Sequence, residues 1–257
     1  MNKKGAVVLH WILFGIIAAI GLFLYYSNTS DLPVQAPLGS WQLEMINSFL
    51  YKSELDLLDL DLSARETGWK VVSELAGRGG FLEQSSCGME KGVNRWNIVD
   101  KWCLPDEKEN LKTLFFQLFP NPEGRGFSPL AIAGQRIMSS GGMKTLKSTD
   151  HYLRQYTYDY SFNVNLHYSF DEYAQLAAEA RKMVDTCRGE EALEAVAECL
   201  KLVKPEHWHY TSCDVPVVPQ ETRIWPFCVK SPNNVEIEGK VVEYNLALDF
   251  TGYSDPV

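Results

Sequence analysis

The sequence predicts an α+β architecture: an N-terminal transmembrane helix, then a long amphipathic helix and a helical pair packed on an antiparallel β-sheet. Three observations predict it. Residues 6–26 are almost wholly apolar, residues 41–76 carry an apolar seam at helical spacing, and two later stretches alternate apolar and polar residues.

From Ala6 to Tyr26, twenty-one residues have His10 as their only strongly polar member. A helix of that length, rising about 1.5 Å per residue, is roughly 31 Å long and crosses a hydrocarbon core. A cleavable leader has a shorter apolar stretch and a small-x-small site. Here Tyr25 and Tyr26 run directly into Ser27-Asn28-Thr29, so the span is expected to remain as an anchor. Lys3 and Lys4 precede it and no further Lys or Arg occurs before Lys52. That asymmetry predicts a single-pass cell-membrane protein with residues 1–5 as a cytoplasmic tip and the C-terminal part outside. Residues 27–39, with Pro33, Pro37 and Gly39, read as a stalk, and residues 40–257 as an extracytoplasmic, disulfide-bonded domain. The expected partners are the lipid bilayer through residues 6–26, and other envelope proteins or further copies of the chain.

All 33 acidic residues and 22 of the 24 basic ones lie beyond the span, a net charge of −11 there. Such a surface repels nucleic acid, which is excluded as a partner. Six cysteines, Cys87, Cys103, Cys187, Cys199, Cys213 and Cys228, all fall in the same part. An even count on the oxidising side predicts a disulfide framework. Six cysteines allow fifteen pairings; the working expectation is pairing in sequence order. Asn28 begins a glycosylation sequon.

Ser40 is positioned to cap a helix that begins near Trp41. Leu43, Leu50, Leu57, Ala64 and Val71 recur every seven residues, with Ile46 and Leu60 on the neighbouring row. This is expected to be one helix of roughly 36 residues ending at Gly77, its seam covered by the domain's own sheet or by a helix of another molecule. Residues 79–104 show no helical or strand period and read as a disulfide-tied loop. Pro105 and the acidic residues after it open a helix of about four turns with Leu111, Leu114, Phe115 and Leu118 on one stripe. Ser139 to Lys144, SSGGMK, reads as a loop tip or hairpin connection. From Tyr156 to Tyr168 every second residue is apolar, and Val242 to Phe250 does the same, so both are expected strands with one wet face. Helices are expected over Asp171–Cys187 and Glu190–Lys204, and short strands near 208–213 and 223–229.

The most suggestive chemistry lies in EHWHYTSCD, where His207 and His209 would share one face of a strand and, with Cys213 or Asp214, hold zinc or copper. Asp56 and Asp59 fall on one helical face, which is expected to be solvated and therefore without acid–base function. A cysteine nucleophile with His151, His167 or His209 is disfavoured by the even cysteine count. No phosphate-binding glycine loop, Gly-x-Ser-x-Gly or His-Glu-x-x-His is present. No cofactor and no catalytic residue is expected.

Lys3-Lys4-Gly5 followed directly by the apolar run resembles the class III leader of archaeal type IV pilin-like proteins. That resemblance implies cleavage after Gly5, leaving Ala6 as the first residue, and polymerisation through the apolar helix beneath a β-rich head. His10 stands where such pilins typically carry glutamate, and Pro33 and Pro37 interrupt the helix. The layout as a whole also looks like uncharacterised single-pass surface proteins of small-genome archaea. The function expected from these features is a non-enzymatic binding or assembly module of the cell envelope. The alternatives are a pilin-like filament subunit and an envelope hydrolase or metal-dependent enzyme centred on His207 and His209.

Overall fold

A computed structural model of the chain describes residues 15–22, 24–25, 42–43, 45–120, 126–148, 154–188, 192–210 and 222–252. Among the described residues no helix is long and apolar enough to cross a membrane. Most of the expected span, the Gly5/Ala6 junction and Asn28 lie outside them. The chain divides into two compact units, Met1–Ser53 and Glu54–Val257. In the first, residues 15–22 are helical and Met45–Leu50 forms a π-helical turn.

Helix α1, Tyr51–Gly77, is the longest of the described helices. It is shorter than the sequence predicts because the π-helical turn replaces regular helix before Tyr51. Its seam is confirmed in the second unit, where Leu60, Ala64, Val71, Val72, Leu75 and Ala76 are buried. Gly68 lets the helix approach closely, since a Cβ there would stand 2.6 Å from Leu166 Cδ2. Trp69 Nε1 also donates to the Leu166 carbonyl at 3.2 Å. The chain reverses after α1 at Gly79 and Gly80, which have φ of 65° and 88°, the left-handed region that suits glycine.

Between α1 and α2, Glu107–Leu118, lie four two-residue strands, β1 (Met89–Glu90), β2 (Val93–Asn94), β3 (Asn97–Ile98) and β4 (Lys101–Trp102). They form two small hairpins, too short to impose a visible period on the sequence. Asp106 caps α2, its side chain accepting from the Glu109 amide at 3.1 Å. Leu111, Leu114 and Phe115 are buried as the stripe requires.

Strands β5 (Ala131–Ala133), β6 (Arg136–Ser148) and β7 (Arg154–Asn165) make an antiparallel sheet in that order. Tyr158, Tyr160, Phe162 and Val164 are its buried face. Ser139–Lys144 is not a loop tip: it lies inside β6, where the register shifts between Ser140 and Met143. The glycine pair there makes a bulge, the other use of glycine within a strand.

Helices α3, Asp171–Cys187, and α4, Leu193–Val203, follow as predicted. A second sheet has the order β12-β9-β8, from Glu243–Asp249, Ile224–Lys230 and Trp208–Tyr210. A last hairpin pairs β10, Glu236–Ile237, with β11, Lys240–Val241. Among the described residues the pairing of the named strands is antiparallel throughout, but it is spread over five small sheets instead of one. One continuous core joins them, with Trp96, Trp208, Tyr168, Tyr244, Phe115 and Phe227 its largest fully buried side chains.

Cys87 pairs with Cys103 and Cys187 with Cys199. Cys228 is also held in a disulfide. Cys213, its expected partner, lies outside the described residues.

Candidate functional site

Among the described residues a broad cleft is built around the β10–β11 hairpin. Two adjoining hollows, of about 710 Å³ and 650 Å³, share Ser73, Ile237 and Glu238. The first is bordered by Glu66, Thr67, Lys70 and Glu74 of α1 and Leu118 of α2. The second runs past Gly77 and Lys230 to Lys240, Glu243 and Asn245. The lining carries both lysines and glutamates, while Ile237, Leu118 and Val242 give apolar footing. Salt screening leaves such exposed charges weak singly.

Local sequence explains why the hairpin stands where it does. Glu238 and Gly239 take φ of 52° and 75°, the signature of the two-residue turn that matches strand twist. At its base the Ser231 amide donates to the Val242 carbonyl at 2.8 Å, and the Val242 amide to the Val235 carbonyl at 2.9 Å. The Ser231 hydroxyl accepts from the Val235 amide at 3.1 Å.

That base is fastened to α3 by a buried carboxyl group. Glu172 is 1% exposed and accepts three hydrogen bonds: Ser231 Oγ at 2.8 Å, Asn233 Nδ2 at 2.9 Å and the Tyr244 hydroxyl at 2.5 Å. The Tyr168 hydroxyl lies 3.0 Å from that of Tyr244. Burial, reinforced by Tyr168 and Glu172, pushes the Tyr244 hydroxyl far above its ordinary value, and burial does the same for Tyr168. Both therefore remain protonated donors. Sequence reasoning missed Glu172, which reads as an ordinary acidic residue of a first helical turn. The available signal was its place on the stripe Glu172, Leu176, Ala180, Met183 and Cys187, all of which are buried.

The histidines predicted to act together are separated by their partners. His207 precedes β8 and its Nε2 lies 2.8 Å from Glu179 Oε2, which also accepts from Trp208 Nε1 at 2.7 Å. His209 sits in β8, opposite Cys228 of β9. Burial, then Lys204 and Lys230, hold its imidazolium below the ordinary range. Among the described residues no group of three or more His, Cys, Asp and Glu side chains gathers as a metal site; Cys213, Asp214 and His151 lie outside them. His167 is exposed with φ of 54°. Asp56 differs from its expected solvated state: it accepts from the Tyr158 hydroxyl at 2.7 Å and pairs with Lys144 Nζ at 3.0 Å. This contact fixes α1 to the long β6–β7 hairpin, while Asp59 is exposed.

No protein-family model, curated protein or solved structure matches this chain.

Proposed function

We propose that this chain is a membrane-anchored extracytoplasmic protein that serves as a non-enzymatic binding or assembly module of the cell envelope. The observation that carries the reading is the cleft around the β10–β11 hairpin. Its rim offers both signs of charge from Lys70, Lys230, Lys240, Glu66, Glu238 and Glu243 over an apolar floor. A polypeptide segment of mixed charge is the ligand chemistry that such a lining serves, because backbone and apolar side chains find the floor while charged side chains find the rim. The apolar run at residues 6–26 supports the anchor, and the paired cysteines support an oxidising compartment.

The test is site-specific photo-crosslinking in intact cells, with a photoreactive residue at Ser73 in the cleft and a control at Lys182 on the exposed face of α3. The expected result is a discrete protein adduct from Ser73 alone, lost in Ile237→Glu. Identical adducts from both positions would overturn the cleft as a binding site. N-terminal sequencing of the membrane-extracted protein separates the anchored form, beginning at Met1 or Asn2, from a processed subunit beginning at Ala6.

A further inference from the structure

Helix α1 is apolar on two opposite sides. One side, with Leu60, Ala64 and Val71, is buried in the core, each at 4% exposure or less. The other carries Leu55, Leu58 and Leu62, which are 45%, 55% and 45% exposed. Isolated exposed leucines are ordinary, but these three recur at spacings of three and four and form a continuous seam of the kind that packs against another helix. The nine residues Glu54 to Leu62, ELDLLDLDL, contain four acidic residues and no basic one. Asp56 is engaged by Lys144 and Tyr158. Glu54 and Asp59 are exposed and Asp61 is half-buried; by helical geometry Glu54 and Asp61 flank the leucines on one side and Asp59 on the other.

We propose that the Leu55–Leu58–Leu62 face of α1 docks a basic amphipathic helix from a different protein. Charge complementarity selects this occupant. Within Glu54–Leu62 a second copy laid in register would set carboxylates against carboxylates, the basic Lys52 and Arg65 lying beyond its two ends, and like charges facing across a helical seam oppose pairing. An anionic bilayer surface meets the same repulsion. A helix with leucines on one face and lysines or arginines beside them covers the seam and neutralises its flanks. The docking surface is separate from the cleft and does not depend on it.

The test uses the full chain in nanodiscs of zwitterionic lipid, empty nanodiscs as the blank, and two labelled synthetic helices that share a leucine seam and differ in having lysine or glutamate beside it. The lysine peptide is expected to bind at least about tenfold more tightly than the glutamate peptide by fluorescence anisotropy, with affinity falling as salt rises. Replacing Leu55, Leu58 and Leu62 together by Asn should abolish binding, whereas Ile237→Glu in the cleft should leave it unchanged. Changing Glu54, Asp59 and Asp61 to Lys should reverse the preference toward the glutamate peptide, a result that loss of folding cannot produce. Three outcomes overturn the proposal. These are binding indifferent to the leucines, a sedimentation-velocity dimer that disappears in the Asn variant, and vesicle binding that the leucines mediate. The second assigns the face to another copy of this chain and the third to the bilayer.

Discussion

Replacing Glu172 by Ala removes the one acceptor shared by three donors. Asn233 is exposed and can turn to water, but Ser231 and Tyr244 are 1% and 0% exposed and their hydroxyls cannot. Each buried donor left without a partner costs about 1–3 kcal/mol, and the lost side-chain packing adds roughly 1 kcal/mol. Removing the carboxyl group also removes its own desolvation penalty, so the net expectation is about 3–5 kcal/mol, a large part of the about 5–15 kcal/mol that holds a domain together. Glu172→Gln keeps one acceptor oxygen and should cost about 1–2 kcal/mol. Denaturant unfolding followed by tryptophan fluorescence measures this directly, because Trp96 and Trp208 are fully buried. Hydrogen exchange supplies the local readout. In the Gln variant the Val235 and Val242 amides, bonded at the hairpin base, should exchange faster before the strands of the second sheet do. The network reading fails if Glu172→Ala lies within 1 kcal/mol of the parent. It fails equally if the costs of Glu172→Ala and Tyr244→Phe simply add, since residues sharing one hydrogen bond should couple.

Two further outcomes are expected. Reduction should lower the melting temperature in stages, because the Cys87–Cys103 and Cys187–Cys199 bridges close loops of 16 and 12 residues and each contributes about 3 kcal/mol in the chain-entropy picture; calorimetry with and without reductant checks it, and an unchanged transition would contradict the assignment. His209, lowered by burial and by Lys204, Lys230 and His207 against the opposing effect of Glu243, binds its proton more readily in the unfolded chain. Its contribution to stability is therefore complete above about pH 6.5 and lost as pH falls through the lower folded-state value. Stability curves of His209→Gln should be flatter than the parent's below about pH 6.5 and parallel to it at higher pH; a steeper acid slope in the variant would reverse the sign of the argument.

How much of this was legible depended on whether a residue's role is local. The strand at Tyr156–Asn165 and the helix at Asp171–Cys187 were readable because their periods of two and 3.6 persist over many residues, and their buried faces follow the pattern. The four strands between Met89 and Trp102 were not, since two residues carry no period. Gly141 and Gly142 signalled a departure from regular strand without saying whether it was a turn or a bulge; only pairing with β7 decides that. Asp56 was misread as a solvated acid and Glu172 was passed over, because each is explained by partners about 60 to 100 residues away. The cleft was invisible for the same reason: Ser73 and Ile237 meet only after α1 and the β10–β11 hairpin are in place.

The position of β12 sets a timetable. It is the last described strand, yet Leu246, Ala247 and Leu248 are 0% exposed. The Trp96 amide donates to the Ala247 carbonyl at 3.0 Å. Asn97 brackets Asp249 with two hydrogen bonds, 2.7 Å and 2.8 Å, across 152 residues of sequence. At about 5–20 residues per second of synthesis, Asn97 waits roughly 8 to 30 s for its partner to be made. The two bridged loops can oxidise during that interval, and Trp96 can meet Gly79 and Tyr173, but its backbone partner Ala247 is absent until Glu243–Asp249 arrives. The surface that β12 covers therefore stays open in the nascent chain until Glu243–Asp249 has been made.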